Sequence, residues 1–184
     1  MPHISAFIQR VVDARDPDVA SHQSRLRSYA EGFAKHLSLN RDDTYTLTYG
    51  AEIHDIGKLS ISESILHKPS RLTHAEYLLV QQHSRLGAEL IEPLALNDQV
   101  VMIVLHHHEN FDGSGYPARL SAEQIPLLAR IVRIIDSYDA ITEDRPYHKG
   151  TPSADAIAML HSDAHWYDPD LLKEFTAFIS TSVM

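Results

Sequence analysis

Cysteine is absent from this chain of 184 residues, and that absence limits the chemistry open to it. Without a thiol the chain forms no disulfide and offers no thiolate ligand, so any bound metal must be held by histidine, aspartate or glutamate. Long apolar runs are also lacking, because no stretch approaches the roughly 20 residues that span a bilayer. The first ten residues lack the basic and then apolar layout of a secretory leader. We therefore expect a soluble, cytoplasmic protein without a membrane partner.

Positive charge is scarce as well. The chain has 16 Lys and Arg residues against 25 Asp and Glu, a net charge of −9, which argues against a surface for polymeric nucleic acid. Divalent cations held by clustered carboxylates could still supply positive charge locally. The chain also contains 13 histidines, although this number does not show which of them bind anything.

The apolar residues follow a helical spacing almost throughout, with no convincing alternating strand and no internal repeat. With 43% apolar residues, the sequence predicts one all-α domain over residues 1–184, a helical bundle without a linker. Caps and breakers place the predicted helices at these segments: Pro17 through Leu37, Asn40 or Asp42 to about Gly57, Ser62 to Leu66, His74 to about Glu92, Asp98 to Asn110, Ser121 to about Ala140, Ser153 to Asp163, and Pro169 to Ser180.

The dipeptide His54-Asp55 is the first candidate for a metal site. Taken alone it means little, because roughly one such pair is expected by chance in a chain of this composition. Further histidines, an aspartate and a lysine lie on or at the ends of predicted helices, which can hold ligands rigidly around a bundle interior. These residues are His22, Lys58, His83, His107, His108 and Asp136. Such a donor set without cysteine favours Fe or Mn over Zn.

Each candidate also has an ordinary interpretation. A single histidine is commonly a surface residue or a hydrogen-bonded core residue. We interpret His106 in this way, as a structural residue and not a metal ligand. Asp136 differs, because it interrupts the apolar run 131–135 on a helix that must face the core. A buried carboxylate is costly unless it is paired or bound to a metal. The alternative to a metal ligand is an ion pair of Asp136 with Arg130 or Arg133.

Three segments of the chain resemble the signature blocks of HD-GYP domains, which are cyclic di-GMP phosphodiesterases of the HD hydrolase superfamily. The segments are residues 54–58 (HDIGK), 107–117 (HHENFDGSGYP) and 136–147 (DSYDAITEDRPY). The middle block is highly specific, and the order and spacing of the three also match. The resemblance covers residues 16–178, and it implies the HD-type helical bundle.

The resemblance implies a centre with two divalent metal ions bridged by Asp55. The ligands of one ion would be His22, His54, Asp55 and Asp136, and those of the other Asp55, His83, His107 and His108. A hydroxide bridging the two metals would attack cyclic di-GMP, giving linear pGpG and, in many members, GMP. Asp55 and Lys58 would act in catalysis, and Lys58 and Arg145 would contact the substrate phosphates.

The loop formed by residues 112–117 contains two glycines and a proline, which is turn chemistry. Gly115 would let this loop approach a ligand closely. Tyr116 would offer the substrate a stacking face or a hydroxyl donor. We therefore expect both residues to bind substrate.

Two positions depart from the family pattern. Asp18 stands where a subset of HD-GYP domains has a glutamate that binds a third metal. Asp18 either binds such a third ion or serves only as an acid favoured by the helix dipole. His148 stands where the family commonly has lysine, and Lys149 beside it could take over the phosphate contact.

Two other functions are left open by the sequence. One is a module that binds metal and cyclic dinucleotide, or docks a diguanylate cyclase (GGDEF) domain, without turnover. The other is an HD hydrolase that acts on another cyclic dinucleotide or on a nucleotide monoester. The complete set of ligands argues against the first, and the Gly-Tyr-Pro loop, which general HD hydrolases lack, argues against the second.

Overall fold

The computed structural model describes residue 10, residues 17–144 and residues 149–182, with side-chain detail beginning at residue 21 of the first helix and ending at residue 181. These residues form helices and no strand, which confirms the predicted all-α class. The α-helices of this part of the chain are α1 Pro17–His36, α2 Arg41–Ile53, α3 Glu63–Leu66, α4 His74–Gln81, α5 His83–Ile91, α6 Asp98–His106, α7 Leu127–Thr142, α8 Ser153–Ser162 and α9 Pro169–Ser182. Short 3₁₀ turns cover Ile56–Ser60, Glu92–Leu94, Ala122–Gln124 and Ala164–Trp166.

Polar residues start several of these helices where the sequence predicts them. The side chain of Asn40 accepts the amide of Asp43 at 2.8 Å and so caps α2. Thr73 and Glu76 form a capping box at the start of α4, each side chain accepting an amide of the other residue. α1 begins at Pro17 as predicted, while Asp16 lies outside the described residues.

Two predicted helices stop or divide earlier than the sequence suggests. The segment from residue 74 to 92 is not one helix, because the amide of Gln82 bonds to the carbonyl of Leu79 at 3.1 Å in a tight 3₁₀ turn. His83 therefore begins α5 and is not inside a longer helix. α6 ends at His106 and not at residue 110, because the amide of Glu109 likewise bonds three residues back, to His106, at 3.0 Å.

The predicted helix from Ser121 to residue 140 begins six residues late. Ser121 and Gln124 do form a capping box, but it caps only a 3₁₀ turn. Ile125 then takes an extended conformation (φ −76°, ψ 126°), because a residue before proline is disfavoured in helical geometry. The helix restarts after Pro126 as α7 and runs on to Thr142.

Two clusters of buried apolar side chains hold the bundle. The larger cluster joins α1, α2 and α6 to α7, α8 and α9 and includes Phe33, Ile135 and Phe175. The smaller cluster joins α2, α5 and α6 and includes Ile53 and Val104. Burial of each such side chain contributes about 1.5 to 3 kcal/mol relative to exposure. α2 and α6 belong to both clusters, so their ends are fixed from two sides.

Among the described helices, none combines the length and the apolar character that crossing a bilayer requires.

Candidate metal centre

The seven predicted ligands meet near the C-terminal ends of α2 and α6. They form two groups, one of His22, His54 and Asp136 and one of Asp55, His83, His107 and His108. Within each group the ligand atoms lie within 4.8 Å of one another, so one ion could contact all of them. Five separate elements supply these side chains, and the sequence places their first and last members 114 residues apart.

Asp55 stands between the two groups. Its Oδ1 lies 3.2 Å from Nε2 of His83 and 3.9 Å from Nε2 of His107, both in the second group. Its Oδ2 lies 3.4 Å from Nε2 of His54 in the first group. Each carboxylate oxygen thus faces a different group, which is the arrangement of a bridging ligand.

Helix ends orient three of the histidine rings. Nδ1–H of each ring donates to the backbone carbonyl three residues earlier, at 2.8 Å for His54, 2.6 Å for His83 and 2.8 Å for His107. These carbonyls lie in the last turns of α2, α4 and α6, where no further amide of the same helix is available to donate to them. Because Nδ1 carries the hydrogen, Nε2 of each ring presents a lone pair to the centre.

Several buried atoms of the centre suit a cation. The Nε2 atoms of His83 and His107 lie 3.2 Å apart, and two facing lone pairs repel unless a cation separates them. Nε2 of His54 and Oδ1 of Asp55 are buried without a hydrogen-bond partner among the described residues. Buried polar atoms of this kind are costly unless something binds them. The donor set therefore fits a divalent metal, in agreement with the prediction.

The protonation states also favour metal binding. Burial lowers the pKa of His107 well below its ordinary value and that of His108 to about 3, so both rings are neutral at pH 7. Burial opposes the charge of Asp55, but the ammonium of Lys58 holds the pKa of that carboxyl well below its usual range. Neutral imidazole and ionised carboxylate are the forms that bind metal.

Asp136 faces the histidines of the first group. Its Oδ1 lies 3.4 Å from Nε2 of His22 and 3.8 Å from Nε2 of His54. Arg130 pairs with Asp168 instead, and Arg133 donates to Asn110 at 3.0 Å. The structure thus does not show the ion pair that was the alternative interpretation of Asp136.

Sequence reasoning missed a second carboxylate on α7. Asp139 is buried, and its Oδ2 lies 2.7 Å from Nδ1 of His22 while Nε of Arg25 donates to its Oδ1 at 2.7 Å. Burial opposes ionisation of Asp139, but His22 and Arg25 hold the pKa of the carboxyl below its ordinary value. Its position three residues after Asp136 places it on the same helix face, and this spacing could have identified it.

The loop after α6 is held against the second group. The buried Glu109, also missed from the sequence, accepts the amides of Ala118 at 2.7 Å and Leu120 at 3.1 Å. A Cβ at Gly115 would lie 2.5 Å from the carbonyl oxygen of His108, so only glycine allows this close approach.

Tyr116 lies beside the metal ligands at the edge of this loop. Its ring is half-buried, with its centroid 4.8 Å from that of His108 and 6.4 Å from that of His83. A planar ligand next to the second group would thus meet an aromatic face.

The remaining predicted residues have different outcomes. Lys58 is 36% exposed and donates to Oδ2 of Asp55. His106 lies outside both groups, 3.6 Å from Glu109. Lys149 is exposed, seven residues after the end of α7. Predicted residues outside the described part of the chain are Arg145, His148 and the side chain of Asp18.

Comparison with known proteins identifies the family. Residues 7–171 match the family profile described as HD domain. The chain belongs to the HD domain family. An HDGYP protein of Bdellovibrio bacteriovorus has a similar structure, with a TM-score of 0.70 at 20% identity over 88% of this chain and 52% of that one. The predicted HD-type fold and the HD-GYP resemblance are both confirmed.

Two curated relatives of this HD domain are bacterial phosphodiesterases. The 3'3'-cGAMP-specific phosphodiesterase 3 of Vibrio cholerae is 34% identical over 88% of this chain and 35% of its own length. A cyclic di-GMP phosphodiesterase of Pseudomonas aeruginosa is 45% identical over 67% of this chain and 30% of its own length. The chain thus spans about a third of the length of each of these relatives.

Proposed function

We propose that this HD domain is a metal-dependent phosphodiesterase that hydrolyses cyclic di-GMP to linear pGpG, with GMP as the product of any second cleavage. The observation that carries the proposal is the pair of ligand groups joined by Asp55, with one carboxylate oxygen facing each group. Two adjacent cation sites of this kind suit in-line attack on a phosphate diester. The names of both curated relatives support the reaction class.

The proposed metal ligands are those of the two groups. His22, His54 and Asp136 would bind one ion, and His83, His107 and His108 the other, with Asp55 shared. Iron and manganese are the favoured metals for a histidine and carboxylate set without thiolate. When bound, the two cations would lower the pKa of a water and offset negative charge on the phosphate.

The side chains around the two groups would bind and orient the substrate. Lys58 lies on Asp55 with a third of its surface exposed, so its ammonium could donate to a phosphate oxygen that enters the centre. Tyr116 would stack on a purine base, and Gly115 would let the loop backbone approach it. Arg145 is proposed to add positive charge at the second phosphate. Lys149 is proposed to do the same, because His148 stands where the family commonly has lysine.

The second candidate substrate is 3'3'-cGAMP. One relative that matches 88% of this chain is named as specific for it, and the two dinucleotides differ only in one purine base. The residues that contact the phosphates and metals would serve both substrates equally. A difference in rate would therefore arise where the second base binds.

The test is turnover of both dinucleotides by protein loaded with ferrous iron or manganese. Separation of the products by chromatography should show pGpG or GMP from cyclic di-GMP. A fully metallated sample that leaves both dinucleotides intact at micromolar enzyme would refute the proposal. Tight binding of cyclic di-GMP without product would indicate a non-catalytic module, for which docking of a GGDEF domain stays a prediction.

Matched variants locate the activity. His54→Ala and Asp55→Ala should abolish turnover, because each removes a ligand. His36→Ala is the control, since His36 contacts Glu174 at 3.1 Å on the surface and belongs to neither group. Its activity should stay within about twofold of the wild type, in keeping with the small worth of an exposed ion pair.

The metal content of the same samples tests Asp18. Three equivalents of iron or manganese per chain, reduced to two in Asp18→Ala, would show that this residue binds a third ion. Two equivalents in both proteins would leave Asp18 with the role of an acid in the first turn of α1.

A further inference from the structure

His22 differs from the other well-oriented histidines because it lies inside a helix. His54, His83 and His107 direct Nδ1–H to carbonyl groups in the last turns of helices. His22 is the sixth residue of α1, where the backbone carbonyls accept amides of the helix itself. Its Nδ1 hydrogen needs an acceptor from another element.

Asp139 on α7 is that acceptor. Its Oδ2 lies 2.7 Å from Nδ1 of His22, and the side chain of Asp139 is only 1% exposed. Arg25 keeps the carboxylate ionised by donating from Nε to Oδ1 at 2.7 Å and from Nη2 to Oδ2 at 3.1 Å. An ionised carboxylate only accepts hydrogen bonds, so Nδ1 of His22 must carry a hydrogen, and in the neutral ring Nε2 is then the atom that can bind a metal.

The lone pair of His22 points toward the first group. Nε2 lies 3.4 Å from Oδ1 of Asp136, the residue one turn before Asp139 on the same face of α7. α7 thus supplies one ligand of the group directly and fixes the tautomer of another through its next turn.

We propose that Asp139 is a positioning residue that holds His22 in its metal-binding tautomer, with Arg25 as its counter-ion. The inference rests on the proposed metal centre and concerns only its first group, His22, His54 and Asp136. Loss of the carboxylate should therefore weaken one metal site and leave the other unchanged.

Asp139→Asn removes the selection of one tautomer with little change in shape. If the amide oxygen takes the place of Oδ2, the amide NH₂ meets the Nε–H of Arg25, donor against donor. If the oxygen faces Arg25 instead, the NH₂ donates to Nδ1 of His22 and shifts the ring hydrogen to Nε2, which then cannot bind a metal. Outer-shell changes of this kind typically weaken metal binding about 10-fold to 100-fold.

The experiment is a titration of the metal-free chain with Mn²⁺, in which electron paramagnetic resonance measures the free ion. The wild type should bind at least two equivalents. Asp139→Asn should bind one of them about 10-fold to 100-fold more weakly and the other with unchanged affinity. The unchanged equivalent also shows that the variant is folded, which separates a positioning role from general destabilisation.

Asp168→Asn is the matched control. Asp168 is also a buried carboxylate paired with an arginine, Arg130, but it accepts the amides of Asp170 and Leu171 at the start of α9 and no histidine. Its Mn²⁺ titration should match that of the wild type even where its stability falls.

Unchanged affinities in Asp139→Asn would overturn the proposal, as would an equal weakening in Asp168→Asn. If Asp139→Asn does not fold, Asp139→Glu takes its place, because it keeps the charge beside Arg25 and displaces the contact with His22. The same selective loss would then support the proposal, and two unchanged affinities would overturn it. A wild type that binds no Mn²⁺ would refute the metal centre itself, whereas a wild type that binds metal without turnover would refute only the proposed activity.

Discussion

A single methyl group added at Gly57 should push His83 away from the other ligands of the second group. A Cβ at this position would lie 1.8 Å from the carbonyl oxygen of His83 and 2.5 Å from the amide nitrogen of Gly87. Real Cβ atoms stay beyond 3.0 Å from such atoms, so in Gly57→Ala the start of α5 must recede by about 1.2 Å, the difference between 3.0 and 1.8 Å. His83 moves with it.

This displacement has two measurable consequences. Overpacking typically costs about 1 to 3 kcal/mol. We expect a value of about 3 kcal/mol here, because the backbone of a packed helix must move. Metal distances tolerate changes of only about 0.2 Å, so a ligand shifted by about 1.2 Å should no longer complete the second group. Urea unfolding followed by circular dichroism measures the first effect, and Mn²⁺ titration measures the second.

Gly32→Ala is the control for this prediction. Its Cβ would lie 2.9 Å from Cζ of Phe178, the far end of a side chain, and alanine favours the interior of α1 by about 1 kcal/mol. This variant should unfold within about 1 kcal/mol of the wild type and bind Mn²⁺ normally. If Gly57→Ala did the same, the backbone contact described here would be wrong.

Three further predictions concern the loop, acid and metal removal. Glu109→Gln leaves one side-chain oxygen for the amides of Ala118 and Leu120, which weakens the attachment of the loop. We therefore expect kcat/KM for cyclic di-GMP to fall about 10-fold in steady-state assays. The metal content should stay unchanged, whereas loss of metal would mean that Glu109 is a ligand. Burial lowers the pKa of His108 in the folded protein to about 3, below its ordinary 6.5, so the unfolded chain binds the proton more readily. The free energy of unfolding therefore decreases as the pH falls from 6.5 toward 3. In EDTA, acidification to pH 5 should therefore cost the wild type about 2 kcal/mol more than His108→Gln in urea unfolding, and equal losses would refute the neutral ring. Removal of metal present at 100 times its Kd should lower stability by about 2.7 kcal/mol per ion, seen as a lower Tm that Mn²⁺ restores; a Tm unaffected by EDTA would count against the centre.

The sequence was sufficient to predict the fold class and the residues that meet at the centre. Helical periodicity and caps such as Asn40 and Thr73 depend on residues close in sequence, so they are found in the structure where the sequence predicts them. The break at Gln82 was missed because the amphipathic pattern continues through it. The break places the ring of His83 where its Nδ1–H can donate to the carbonyl of Val80, a contact that the pattern does not predict. Boundaries set by tertiary contacts are not written in local periodicity.

Partners distant in sequence were also beyond prediction. Asp139 and His22 are 117 residues apart, and the amides that Glu109 accepts belong to a loop without regular structure. The pattern correctly marked Asp136 as a half-buried carboxylate on an apolar helix. The two arginines considered as its partners are close to it in sequence, but in the structure Arg130 pairs with Asp168 and Arg133 with Asn110. Burial of a charge can be predicted from one helix, whereas its partner depends on the packing of several.

The facing ring nitrogens of His83 and His107 bear on the lifetime of the protein in a cell. If apolar side chains stood in place of these two histidines, they would stabilise the contact between α5 and α6 without a ligand. Replacement of buried polar groups by apolar ones often has this effect. With two lone pairs 3.2 Å apart, these two rings add to the stability of the junction only when a ligand lies between them. Scarcity of metal would then raise the unfolded fraction exposed to proteases, so the abundance of the domain would follow the supply of the ion on which its proposed activity depends.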